Sequence, residues 1–184
     1  MPNITVEPNE FILVQYDADE IRSITERIAS GVGFAADQQI TVDVEESTPL
    51  ARVLIGSLTP LVIQVEGGAF EDPRRPRQLS VTGAEVALGR VLFQAHDQLF
   101  GGFADVPVGK VTLEQQVAWD VYALGRLERL GANVNKQSRL YTFRNRHGFS
   151  DANDAIFNRL WNAQALTWAD IVVACDQTKA NAAA

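Results

Sequence analysis

The hydrophobic spacing of this chain changes period once, near residue 80, and that change constrains the fold more than any other feature. Before it, short apolar runs alternate with polar residues or stand between turn residues, the two-residue period of strands. Residues 3–7 and 11–15 flank a Pro8-Asn9 turn, residues 40–45 alternate Ile40, Val42 and Val44 with polar neighbours, and residues 51–56 and 61–66 flank a turn at Pro60. One helix interrupts the strands: Asp17 with Glu20 reads as a capping box, Ile21, Ile24 and Ile28 form its stripe, and Gly31 stands where the helix should stop. Residues 67–78, with two glycines and two prolines, read as a loop or a ragged sheet edge, where Arg74, Arg75 and Arg77 would discourage edge pairing. Beyond Thr82 the apolar period becomes that of a helix. Thr82 and Glu85 form a capping box, and Leu88, Val91, Leu92, Ala95 and Leu99 run to Gly101-Gly102. Thr112 with Gln115 opens a helix that stops at Gly131, and shorter helices start at Ser150 and Thr167, with Leu160, Trp161 and Trp168 as their anchors.

The expectation is an α+β fold: a small mixed sheet of four or five strands in the N-terminal half, packed against a long apolar helix, with additional C-terminal helices. The 184 residues fit a single domain, 1–184, mostly sheet plus one helix over 1–81, helical over 82–178, with a frayed tail at 179–184. A single cysteine, Cys175, points to a reducing compartment. The first twenty residues carry Glu7, Glu10, Asp17 and Asp19 with no basic segment before an apolar run, so no secretory signal is read. No apolar run approaches the ~20 residues that cross a bilayer. These observations together place the expected protein in the cytoplasm, away from membranes.

Catalytic constellations are incomplete. Zinc hydrolysis needs three protein ligands and an open position for water, and the only histidines are His96 and His147. Cys175 sits among Val172, Val173 and Ala174, the setting of a small core residue rather than an activated thiol. No serine occupies a nucleophile elbow, and Gly31-Val32-Gly33 follows a helix where a dinucleotide loop would follow a strand. No cofactor, metal or catalytic residue is assigned.

Charge is unevenly spread. The formal net charge is −7, which argues against general nucleic-acid binding. Residues 1–72 carry thirteen acids and three bases, whereas residues 126–147 carry six bases and one acid. Two readings of the basic stretch stand. One pairs it with acidic residues of the same fold, the common fate of a charge run. The other makes Arg139, Arg144, Arg146 and His147 an anion-binding face, preceding a helix opened by Ser150. A regulator of nucleic acid acting through the basic segment is a third, weaker reading.

The run of a helix at 17–30, strands at 40–45, 51–56 and 61–66 and a long apolar helix at 82–100 resembles the minimal zincin metallopeptidases, over about residues 11–100. The matching helix segment is Val91-Leu92-Phe93-Gln94-Ala95-His96-Asp97. The resemblance implies a helix packed on a twisted sheet, an edge strand that cradles extended substrate, and a following helix that carries H-E-x-x-H. Phe93 would take the first histidine position, Gln94 the glutamate and Asp97 the second histidine, with His96 beside them. Phe93 cannot bind metal and Gln94 cannot take a proton from water, so a zincin-like fold here would be degenerate, without zinc or peptidase activity. It would keep a groove for another protein or an extended peptide added as a strand. The expected function is therefore a non-catalytic, protein- or peptide-binding scaffold, with a small-anion-binding protein or an enzyme using the Arg/His cluster at 139–147 as the alternative.

Overall fold

Strand β1 (Asn3–Glu7) buries Ile4 and Val6 and turns Asn3, Thr5 and Glu7 outward, and β2 (Gln39–Glu45) repeats the pattern with Ile40, Val42 and Val44. The computed structural model describes residues 1–107 and 109–182; it divides into two compact units, Met1–His96 and Asp97–Ala184, and the fold is α+β. In the first unit β3 (Val53–Leu58) and β4 (Leu61–Glu66) complete a four-stranded mixed sheet in the order β1-β2-β4-β3. β1, β2 and β4 run parallel, while β3 returns antiparallel along one edge. Helix α1 (Ala18–Val32) connects β1 to β2 and contributes Ile21, Ile24, Ile28 and Ala29 to the core.

Local chemistry explains the element ends. The Asp17 carboxylate accepts from the backbone N–H groups of Asp19 and Glu20, so one side chain caps α1 without a reciprocal bond from Glu20. The helix passes Gly31 and ends at Gly33, whose φ of 108° is the left-handed conformation of a helix stop. Residues 11–15 are not a strand. The Glu46 carboxylate accepts from the N–H groups of Ile12 and Leu13 (2.9 and 2.7 Å), Gln15 N donates to Arg77 O, and Tyr16 donates its hydroxyl to Gly67 O. These long-range bonds replace a ladder and hold the segment as a pinned loop. The proline-rich stretch forms a 3₁₀ turn (Gly67–Phe70) and a small hairpin, β5 (Glu71–Asp72) with β6 (Arg75–Leu79).

Helix α2 (Val81–Phe100) is the long apolar helix, burying Ala84, Leu88, Val91, Leu92 and Ala95. It begins two residues before the start that a Thr82 cap implies, because Ser80 caps it: Ser80 Oγ accepts from Gly83 N (3.1 Å). Arg90, midway along, donates to Val53 O (2.7 Å). Glu66 N donates to Arg52 O, so Val53 stands opposite Val65 in a pair that does not exchange hydrogen bonds and its carbonyl faces the open side of β3. The guanidinium, together with a bulge between Ile55 and Ser57, blunts that edge.

In the second unit, α3 (Leu113–Arg129) carries the expected Thr112/Gln115 capping box, with both reciprocal bonds present. α4 (Lys136–His147), α5 (Asp151–Asn162) and α6 (Trp168–Ala182) follow. Their core is aromatic: Phe103 stacks on Trp119 (5.1 Å between ring centres) and meets Trp168, while Phe143, Phe157 and Trp161 form a second run. Helix α6 continues through Thr178, which is buried, to Ala182. No helix among the described residues is long and apolar enough to cross a membrane.

Candidate anion-binding site

Phe93, Gln94 and Asp97 are all buried, so the helix positions of a metallopeptidase motif are closed off from solvent rather than set in an open cleft. The Gln94 side-chain carbonyl accepts from Arg90 Nη1 at 3.3 Å. Half-buried His96 stands edge-on to Phe34 beside the left-handed glycine that ends α1. The Asp97 carboxylate accepts from both terminal nitrogens of Arg126 (2.7 and 2.6 Å) and from Trp119 Nε1 (2.9 Å). An aromatic ring, an amide and a carboxylate saturated by three donors do not fit a zinc ion. Among the described residues, no group of three or more His, Cys, Asp or Glu is placed to hold a metal.

The basic cluster is differently disposed. Helix α4 ends in Arg144, Arg146 and His147, and the chain reverses at Gly148 (φ 99°) into α5. Arg144, Arg146, His147 and Phe149, together with Glu114 from α3 and Thr178 and Lys179 from α6, line one depression of about 440 Å³. Arg139, two turns earlier on α4, is half-buried and is not part of that lining. Three of the four predicted residues thus share a site. Glu114, Thr178 and Lys179 come from distant segments, and Lys179 falls in a stretch that reads as a frayed tail, so no sequence signal ties it to α4.

Each cation in the depression has a distinct state. Arg144 is committed: it grips Asp154 through Nε (2.9 Å to Oδ1) and a second bond from Nη2 to Oδ2. That pairing holds the Asp154 carboxyl below its usual range and the Arg144 guanidinium above its own. Arg146 is exposed and pairs with no carboxylate among the described residues, and Lys179 is exposed with Asp176 3.7 Å away. These two are the cations available to a ligand.

His147 forms the buried floor. Its Nδ1 lies 2.9 Å from Thr178 Oγ1 and its Nε2 lies 3.1 Å from Glu114 O, while its ring stacks on Phe143 at 4.1 Å. Burial lowers its pKa first, with Lys179 adding to the effect, against a raising contribution from the Glu114 carbonyl and carboxylate. Both nitrogens are engaged within the fold, so the ring is not aimed at a ligand as a general base. Phe149, in the lining and 64% exposed, meets the 60% exposed Tyr141 edge to face with centres 6.1 Å apart, and the Arg144 guanidinium lies 6.0 Å from the Phe149 ring.

The arrangement sets the cationic side chains of Arg146 and Lys179 beside the exposed Phe149 ring. Cys175 is buried, and burial pushes its thiol up to about 11, away from thiolate chemistry. Compared with protein-family models, curated proteins and solved structures, the chain has no match in any of the three.

Proposed function

We propose that this protein is a cytoplasmic, non-catalytic binding scaffold on a degenerate zincin-like framework, and that it takes an anionic group of a partner protein or peptide at the depression between α4 and α6. The observation that carries this reading is the convergence of Arg146 and Lys179, from separate helices, over one depression lined by the exposed Phe149, against which the exposed Tyr141 packs. Arginine and exposed tyrosine or phenylalanine are the residues protein interfaces favour, and exposed cations beside them select a carboxylate or phosphoryl group. The framework reading is supported by element order: a helix on a mixed sheet, an antiparallel edge strand, then the long helix. The blunting of β3 by Arg90 and the bulge moves the binding surface away from that edge, since strand addition needs open backbone groups.

The test is thermal unfolding with sodium sulfate against sodium chloride at equal ionic strength, on the native protein and on an Arg146→Glu, Lys179→Glu double mutant. Sulfate stabilises many proteins by exclusion from their surfaces, so the difference between the two proteins is what counts. At a free sulfate concentration about ten times Kd, sulfate should stabilise the native protein by roughly 1.4 kcal/mol, or about 3 °C in Tm, more than it stabilises the double mutant. Equal gains in both proteins would refute the reading.

A further inference from the structure

We propose that His147 ties anion binding at this depression to pH: the ring takes up a proton as the anion binds, so affinity rises as pH falls. The inference rests on the reading of the depression as an anion site and adds its regulation. The geometry begins with Thr178, whose hydroxyl donates to Cys175 O (2.7 Å) and therefore turns a lone pair toward His147 Nδ1. On the other side of the ring the Glu114 carbonyl, an acceptor only, faces Nε2. Two acceptors thus face two ring nitrogens, and a neutral imidazole has one N–H to share between them. Either the Thr178 hydroxyl turns away from Cys175 O to donate to Nδ1, or the ring carries both protons and every bond is made.

The surroundings of the ring pull in both directions, with burial on the side of the neutral form the largest influence. Glu114 on α3 favours the imidazolium through its carbonyl and carboxylate, and Phe143 offers the face of a π-system. Burial and Lys179 on α6 oppose it. Arg144 and Arg146 on the ring's own helix line the same depression; Arg144 is offset by Asp154 on α5, where Asn153 also donates to His147 O. An anion seated against Arg146 and Lys179 cancels the cationic field that disfavours the second proton, and the two acceptors are already in place to receive it. By linkage, whatever raises the proton affinity of the ring on binding makes binding tighter at lower pH.

Sulfate is the probe, because it keeps its charge across the range in which a phosphate titrates. The ring C–H signals of His96 and His147, the only histidines in the chain, are followed by NMR as pH is varied in chloride and in sulfate at equal ionic strength, with His96 as the internal reference. His147's pKa should rise in sulfate by about half a unit to one unit, and sulfate should bind tighter at pH 5.5 than at pH 7.5 by a factor whose limit is about threefold for half a unit and about tenfold for one unit. His147→Gln, whose amide can still donate to Glu114 O, should bind sulfate with affinity that no longer varies with pH. If the Arg146 and Lys179 amide signals respond to sulfate while His147 titrates identically in both salts, the coupling is wrong and the binding site stands. If no signal around the depression moves at any pH, the site itself is refuted and the coupling with it. The measurement on the native protein decides the matter even where the glutamine substitution prevents folding.

Discussion

A carboxylate taken out of water needs donors that replace its hydration, and Asp97 has three: two from Arg126 and one from Trp119. Arg126 in turn lies flat on the Tyr122 ring, 3.7 Å from its centre, so the guanidinium is held from both sides. Removing the anion takes this two-pronged pair from a guanidinium whose side chain is only 14% exposed. Asp97→Asn should therefore lower the free energy of unfolding by about 3–5 kcal/mol, read from urea midpoints by tryptophan fluorescence; a loss under about 1 kcal/mol would mean the pair is held no better than a surface one. The residue types at 93, 94 and 97 are enough to argue from sequence against activated water on this helix. The donors that close the Asp97 site were not legible, because they come from α3 across a long loop and nothing in local spacing links Asp97 to Trp119 or Arg126.

Elements with their own caps and wide apolar stripes could be read directly. The strands at β1, β2 and β4, the Thr112 start of α3 and the Ser150 start of α5 rest on side chains within a few residues of where they act. Helix α4 gives no periodic signal in the sequence because it buries only Phe143 and His147, too thin a stripe among so many polar residues. Its start depends on Asn135, whose side chain accepts from Ser138 N (3.0 Å), so Asn135→Ala should cost about 1 kcal/mol in a chemical melt; an unchanged midpoint would show that packing alone fixes this end. The contact of α3 with α5 was equally hidden. Gly125, on the buried face of α3, lets the backbone of Trp161 approach so closely that an added Cβ would stand 2.1 Å from its carbonyl oxygen. Arg129 fastens the same place by donating to Trp161 O and Ala163 O (2.7 Å each) at the end of α5. Gly125→Ala has backbone against it, not a yielding side chain, so the helices must part. A cost of about 1–3 kcal/mol is expected from denaturant unfolding, whereas the stabilisation usual for Gly→Ala within a helix would contradict the packing described.

Across the whole chain, charge and fluorophores are divided unevenly. Met1–His96 carries fourteen acids and seven bases, so the formal charge of −7 resides there, while Asp97–Ala184 carries nine of each. All three tryptophans, Trp119, Trp161 and Trp168, also lie in the second unit, so their fluorescence reports its unfolding specifically. Acid should act on that unit in two stages. His147 has a folded pKa below its ordinary value, so its contribution is complete above about pH 6.5 and is lost as pH falls through the folded value, at no more than about 1.4 kcal/mol per pH unit for one proton. Asp154, held low by Arg144, acts in the same direction but only below the ordinary carboxylate range, so its loss comes later. Unfolding free energies from tryptophan fluorescence should therefore begin to decline as pH falls below about 6.5, and decline further in stronger acid as Asp154 is protonated. His147→Gln should abolish the first decline and leave the second, because glutamine cannot take up the proton that the buried site resists. A native profile that is flat from pH 7 to pH 5 would mean that Glu114 and Thr178 accommodate the imidazolium as readily as water does, and burial would then no longer account for the direction of the His147 shift.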